Sequence, residues 1–150
     1  MKKFLQKKLK DQKGMTLIEL LAVIVIIAII AAIAIPAIGN IIENSRYSAV
    51  KADAQNVLAA ANIYYTENPG AATVGLTDLQ TDGYLESFGN FEGTDEVTKP
   101  TSGPITFTNA TAITYSGTKT LKFTNATVDN INADTNKGSD APASVVIGTP

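Results

Sequence analysis

The chain has 150 residues, the length of one ordinary domain. It contains no Cys and no His, which excludes disulfides, thiol chemistry, zinc sites of the usual kind and His-based acid–base catalysis. Lys and Arg number 12 and Asp and Glu number 14, so the whole chain carries a formal charge of only −2. From this inventory we expect neither an enzyme nor a cofactor site.

The N-terminal part consists of a basic leader followed by an apolar run. Six of the 12 basic residues lie before position 14, against the single acid Asp11. Residues 20–42 contain no ionisable side chain. At about 1.5 Å per residue, a helix of this length measures about 35 Å, which is enough to cross a bilayer core of about 30 Å. The positive-inside rule keeps the leader in the cytoplasm and places the remainder outside.

The junction between leader and run reads KGMTLIE at residues 13–19. Glu19 is the only charge of the apolar run and stands at its very start. Inserting an acid at mid-bilayer costs about 2.5 to 3.5 kcal/mol, and less near the end of the segment. We therefore expect Glu19 to have a specific partner and not merely to sit in the headgroup region.

This junction resembles the processing site of type IV prepilins, in which a dedicated membrane peptidase cuts after the glycine and the exposed amine is methylated. The resemblance implies cleavage between Gly14 and Met15, N-methylation of Met15, and Glu19 as the fifth residue of the mature chain. Pro36 matches the proline within the apolar stretch of many pilins. Because a proline removes an amide donor and crowds the preceding turn, we expect a bend or local unwinding just before Pro36, more pronounced in a filament.

An ordinary secretory signal is the competing interpretation of this region. The lysines, the apolar run and the small-residue triplet at 32–34 would support conventional cleavage before Ile35. Glu19 within the hydrophobic onset argues against it. The continuation of the run past Pro36 to Ile42 argues against it as well.

The next segment predicts an amphipathic helix that continues the apolar one. Asn68, Pro69 and Gly70 supply its stop, so we expect one helix over residues 16–66, about 75 Å long by rise per residue. Apolar residues recur in its second half at intervals typical of one buried stripe: Tyr47, Val50, Ala54, Val57, Leu58, Ala61 and Tyr65.

The chain after Pro69 first predicts a loop and a short helix. Thr77 is the expected N-cap of a helical turn through Gln80, and Gly83 is expected to end it. Residues 89–104 are rich in Gly, Thr, Asp and Pro, a composition typical of an exposed loop.

The C-terminal part predicts an antiparallel sheet. Because the apolar face of a sheet needs a partner, we expect the helical stripe to pack on it, giving an α+β fold that the pilin resemblance also implies. Asn109 and Asn125 begin N-glycosylation patterns but lie at expected strand ends, where Asn is an ordinary turn residue. Alternation of apolar and polar residues predicts three strands and a candidate fourth, at 105–108, 112–115, 120–123 and 144–147.

One acidic loop is a candidate calcium site. Asp134, Asn136 and Asp140 offer oxygen ligands, with Gly138 permitting a tight turn, and major pseudopilins of type II secretion resemble this in having a calcium-stabilised C-terminal loop. The EF-hand pattern fails, however, because Val145 stands where its bidentate glutamate belongs. A solvated Asn/Asp turn is the favoured interpretation, and no metal ligand is assigned.

The resemblance implies a structural subunit and not an enzyme. It divides the chain into a cleaved leader at 1–14, a transmembrane and filament-core helix at 15–42 and a pilin-type globular head at 43–150. The single-pass prepilin waits in the cytoplasmic membrane and then joins an extracellular helical filament of identical copies. Its implied partners are the prepilin peptidase and the pilus assembly platform, and cell adhesion and motility are among the roles of such filaments.

Two other functions share part of this evidence. A pseudopilin of a type II secretion or DNA-uptake machine has the same N-terminal features, and a single-span membrane-anchored binding domain has the hydrophobicity but needs no Glu19. Leader removal leaves 6 basic and 13 acidic side chains. We therefore expect no direct binding of nucleic acid.

Overall fold

The computed structural model describes residues 2–149, with side chains from Thr16 onward. Helix α1 spans Lys2–Glu67 and includes Pro36. Its end lies one residue beyond the expected one, so the predicted long helix is confirmed. The chain divides into two compact units, Met1–Gly39 and Asn40–Pro150.

The second unit combines the last part of α1 with two short helices and six strands, which confirms the α+β class. In chain order the further elements are β1 (Thr73–Gly75), α2 (Leu76–Thr81), β2 (Glu96–Thr98), β3 (Thr106–Thr108), β4 (Ile113–Ser116), β5 (Lys119–Thr124), α3 (Val128–Ala133) and β6 (Ser144–Gly148).

The predicted stripe of α1 forms one side of the hydrophobic core. All seven of its side chains are at most 4 % exposed, which confirms the amphipathic interpretation. They belong to one cluster with the inward side chains of the strands, among them Val97, Phe107, Leu121 and Phe123. Fully burying a side chain of this size contributes about 1.5 to 3 kcal/mol, so packing on the strands holds this half of the helix.

The strands form two sheets where the sequence predicted one. The first has the order β1-β2-β3 and is antiparallel, with Val74, Val97 and Phe107 in register on its buried side. The second has the order β4-β5-β6, and β6 pairs with β5 in parallel. The candidate fourth strand is therefore confirmed, but it is parallel to its neighbour, so the expectation of a purely antiparallel sheet is wrong. Helix α3 lies between β5 and β6 in the chain, which is the crossover connection that parallel neighbours need.

Asn109 joins the two sheets and is fully buried. Its Oδ1 accepts a hydrogen bond from the Phe123 amide at 2.6 Å, and its Nδ2 donates to the Thr111 carbonyl at 2.5 Å. A bridge between Phe107 and Ala126 adds a second link. Since both side-chain amide atoms of Asn109 are hydrogen-bonded inside the core, Asn109 is not an accessible glycan acceptor.

The short helix is confirmed, but its N-cap is not Thr77. Gly75 is the N-cap of α2 and makes no side-chain cap hydrogen bond. Thr77 lies within the helix, and its hydroxyl donates to the Gly93 carbonyl at 2.9 Å. The Thr77 hydroxyl therefore bonds to a carbonyl outside the helix and does not cap an amide of the first turn. Gly83 has φ +82° just past the C-cap, where glycine is favoured, so the predicted stop is confirmed.

Two elements depart from the expected loops. Strand β2 lies inside the predicted loop at 89–104, because Val97 turns into the core between two polar neighbours in a run too short to show alternation. Helix α3 follows Asn125 in a segment that resembled a turn. Thr127 and Asn130 form a reciprocal capping box there, a signal visible in the sequence when Asn is admitted at N3.

Candidate processing and assembly site

The processing junction lies within α1. Gly14 and Met15 lie within this helix, and side chains are described only from Thr16 onward. Cleavage after Gly14 and methylation of Met15 therefore stay predictions. Glu19 is exposed and precedes a segment without any other ionisable side chain up to Ile42.

The apolar segment after Glu19 exposes large hydrophobic side chains on every side of the helix. Their exposed fractions run from 46 % at Ile42 to 70 % at Ile33 and Ile35. A helix that is apolar all round requires an apolar surrounding, either a membrane or packed protein. By length and composition, the described residues contain one helix able to cross a membrane.

Pro36 lies inside this segment, and helix α1 continues through it from Lys2 to Glu67. A proline in a helix interior leaves one carbonyl without its usual donor. The bend or unwinding expected before Pro36, above all in a filament, stays a prediction.

Two lysines connect a loop of the head to α1 by hydrogen bonds and ion pairs, just after the apolar segment ends. We call residues 134–141 the C-terminal loop. Lys119 Nζ lies 3.0 Å from Glu43 Oε2, 2.9 Å from the Gly138 carbonyl and 2.7 Å from the Ser139 carbonyl. The hydrogen bonds of Lys119 and Ser116 hold the pKa of Glu43 below its usual range. One ammonium group thus connects β5, the C-terminal loop and α1 through three oxygen acceptors.

The second lysine, Lys51, forms an ion pair with Asp134. Lys51 Nζ donates to Asp134 Oδ2 at 3.0 Å and to the Asp134 carbonyl at 2.7 Å, and the Tyr47 hydroxyl donates to the same Oδ2 at 2.7 Å. Burial raises the pKa of Asp134, but hydrogen bonds from Tyr47, Lys51 and Asn136 outweigh burial and hold it below the usual value. Burial, and then the hydrogen bond to Asp134, raises the pKa of Tyr47. The carboxylate is therefore ionised and paired with Lys51.

This arrangement changes the interpretation of the candidate calcium loop. Both carboxylate oxygens of Asp134 are already engaged, since Asn136 Nδ2 donates to Oδ1 at 2.5 Å while Lys51 occupies Oδ2. From residue 16 to residue 149, no three His, Cys, Asp or Glu residues are grouped so that they could hold a metal ion. Asp134 binds an ammonium group of its own chain, whereas Asn136 and Asp140 of the same loop are exposed, as expected of the solvated turn that the sequence favoured.

Sequence reasoning missed Glu43, Lys51 and Lys119, and it named Asp134 without its lysine partner. Glu43 and Lys119 are separated by 76 positions, and Lys51 and Asp134 by 83. Gly138 also belongs to these contacts, because a Cβ at this position would lie 2.4 Å from the Glu43 carbonyl oxygen. The sequence predicted only a tight turn at this glycine.

The head also has an open groove of about 920 Å³ between α1, residues 99–105 and α3. Leu58, Ala59, Ile105 and Val128 are among its apolar lining residues. The predicted site residues Gly14, Met15, Glu19 and Pro36 all lie far from it in sequence, on the N-terminal unit.

Comparison with known proteins identifies the N-terminal segment. Residues 9–35 match the family model described as the prokaryotic N-terminal methylation motif. The match contains Gly14, Met15 and Glu19 and ends one residue before Pro36. No curated protein and no solved structure matches the chain.

Proposed function

We propose that this chain is a filament subunit. It carries the prokaryotic N-terminal methylation motif, the class III leader of type IV pilins. The precursor is cut after Gly14, methylated at Met15, and polymerised through α1 into an extracellular type IV pilus-like filament. The observation that carries the proposal is the matched junction, in which Glu19 stands between a basic leader and an apolar helix.

The exposed apolar helix supplies the driving force for assembly. Its large apolar side chains from Leu17 to Ile42 are about half or more exposed, and such a surface requires lipid or protein around it. Once extracted from the membrane, the segment is shielded by packing against the same segment of other copies. A heterologous contact of this kind repeats along a filament when its rotation does not close a ring.

Glu19 selects the alignment of neighbouring helices. Cleavage creates a positive amine at Met15, which lies four residues before Glu19 and so about 6 Å away along a helix axis. The carboxylate neutralises this amine, either in its own chain or in an axially staggered neighbour. An unpaired charge in a filament core costs several kcal/mol, so misaligned neighbours are rejected.

The proposal names the partners of each stage. The prepilin peptidase removes the leader at the cytoplasmic membrane, and a pilus assembly platform in that membrane receives the mature chain. Identical copies are the final partners, outside the cell. The role is structural, with cell adhesion or motility as its possible biological outcomes.

Immunogold imaging of surface appendages tests the proposal, with antibodies raised against the head. We expect labelling along the length of thin filaments and its loss from a strain in which the gene is deleted. Labelling confined to the cell envelope, with no chain in the sheared surface fraction, would instead favour a pseudopilin of a secretion or DNA-uptake machine. An uncleaved chain held in the membrane would favour an anchored binding domain.

A further inference from the structure

The groove of the head is lined by apolar side chains beside two side-chain amides. Leu58, Ala59 and Val128 are among the apolar lining residues, and Gln55 and Asn132 are the two amides. Gln55 Nε2 donates to Asn132 Oδ1 at 2.8 Å, which leaves the carbonyl oxygen of Gln55 and the amide nitrogen of Asn132 to bond an occupant. One acceptor and one donor beside apolar lining residues match an extended backbone with an apolar side chain.

Exposed large apolar side chains are few in the head. Among the described residues after Ile42 they are Ile63, Val128 and Val146. Val128 lines the groove, and Ile63 follows Ala59 by one helical turn, so it extends the same side of α1. Val146 is 55 % exposed on another element, strand β6.

Strand β6 is an edge strand without charge. Among the strands of the described residues it pairs only with β5, at the end of the β4-β5-β6 order, and residues 141–149 contain no ionisable side chain. Val145 and Ile147 point into the core, whereas Val146 points outward, opposite Lys122. An edge with free backbone groups and an outward apolar side chain is a template for another chain.

We propose that β6 of one copy lies in the groove of the next copy, with Val146 against Leu58, Ala59 and Val128. The inference rests on the proposed filament, because a filament of identical subunits needs two different, complementary surfaces on each subunit. The groove and β6 are two such surfaces. Gln55 and Asn132 then bond the free backbone edge of β6, so the contact has both apolar and polar components.

Paired cysteines test this contact in a chain that has no cysteine of its own. Filaments of Ala59→Cys/Val146→Cys are oxidised and separated without reductant. We expect a ladder of dimers and higher multimers, because a heterologous contact links each copy to two others. The matched control is Ala59→Cys/Thr114→Cys, since Thr114 is exposed on β4 at the opposite edge of the same sheet, and it should give no ladder.

Single substitutions test the contact without cross-linking. A charge carried into an apolar groove loses its hydration even beside a cation such as Lys122, so Val146→Asp should lower sheared filament about tenfold or more while Val146→Ile retains it. Thr114→Asp is the control and should retain filament as well. Melting of the full mature chain in detergent should be the same in all of these variants, because both positions are exposed.

The outcomes distinguish a failure of the proposed contact from a failure of the proposed filament function. Wild-type filament levels in Val146→Asp, or equal ladders from both cysteine pairs, would overturn the contact and leave the proposed function standing. The absence of any filament from the unmodified chain would overturn both. Loss of filament with Thr114→Asp as well as Val146→Asp would also overturn the specific role of Val146.

Discussion

Lys119 Nζ lies 3.0 Å from Glu43 Oε2, an ion pair that connects strand β5 to the first charged residue after the apolar segment. The same ammonium also donates to the Gly138 and Ser139 carbonyls. Three acceptors match the three donors of one ammonium group. Lys119 is therefore a structural cation that holds the C-terminal loop on α1 in a chain without disulfides.

Replacement of this lysine should loosen the head. Lys119→Met keeps much of the apolar stem but leaves Glu43 Oε2 and the Ser139 carbonyl without this donor, and leaves the Gly138 carbonyl only the Tyr115 hydroxyl at 3.3 Å. We expect the melting temperature to fall by roughly 5 °C, measured by circular dichroism on a head fragment starting at Asn40. Lys122→Met is the matched control, because Lys122 lies on the same strand and makes no ion pair in the described part of the chain. Equal melting of the two variants would contradict this role.

A methyl group at Gly138 should also separate the loop from the helix. Its Cβ would lie 2.4 Å from the Glu43 carbonyl oxygen and 2.9 Å from Tyr47 Cβ. Since a backbone oxygen cannot yield as a flexible side chain does, we expect Gly138→Ala to destabilise the head by about 1 to 3 kcal/mol in urea unfolding. Gly70→Ala meets nothing within 4 Å and should change stability little. A stable Gly138→Ala head would refute the close packing.

The pairing of Asp134 predicts a dependence of stability on pH. Its pKa is lower in the folded head than the usual 3.8, so its contribution is fully present above that value and is lost as pH falls through the folded pKa. At pH 7 we expect Asp134→Asn to be less stable by about 1 to 3 kcal/mol. The difference from wild type should shrink below about pH 4.

Urea unfolding between pH 2 and 7 measures this difference, with Asp140→Asn as the control because Asp140 is exposed in the same loop. An Asp134→Asn deficit that persists undiminished at the acid end would show that the carboxylate charge is not what stabilises the loop.

The sequence was sufficient for the features that depend on local pattern. The α1 stripe repeats every three or four residues, so Tyr47 and Tyr65 could be assigned to the core, and Gly14 and Glu19 lie within one matched motif. Strand β2 was missed because a run with only Val97 inward carries almost no periodicity.

Long-range polar contacts could not be predicted in the same way. Asp134 resembled a calcium ligand because its neighbours are Asn and Asp, and nothing in that stretch shows that Lys51 reaches it from α1. The parallel pairing of β6 likewise depends on α3, whose cap is visible but whose role as a crossover appears only in the fold.

Glu19 should affect assembly without affecting insertion. Removal of its charge eases entry into the membrane, so we expect Glu19→Ala to be inserted and cleaved but to accumulate in the membrane without normal filaments. Immunoblots of membrane and sheared-surface fractions measure this. Leu20→Ala, which changes a neighbouring side chain and no charge, is the control. Surface filament at wild-type level in Glu19→Ala would show that Glu19 does not determine assembly.

The most direct test of the account is the mass of the N-terminal peptide of the chain recovered from sheared surface filaments. We predict a mature chain that begins at Met15 and carries one methyl group on its amine, and a Gly14→Val chain that keeps its leader because glycine alone lets the peptidase approach the backbone closely. A chain that begins at Ile35 would contradict the account and favour conventional signal cleavage. So would a Gly14→Val chain that still loses residues 1–14.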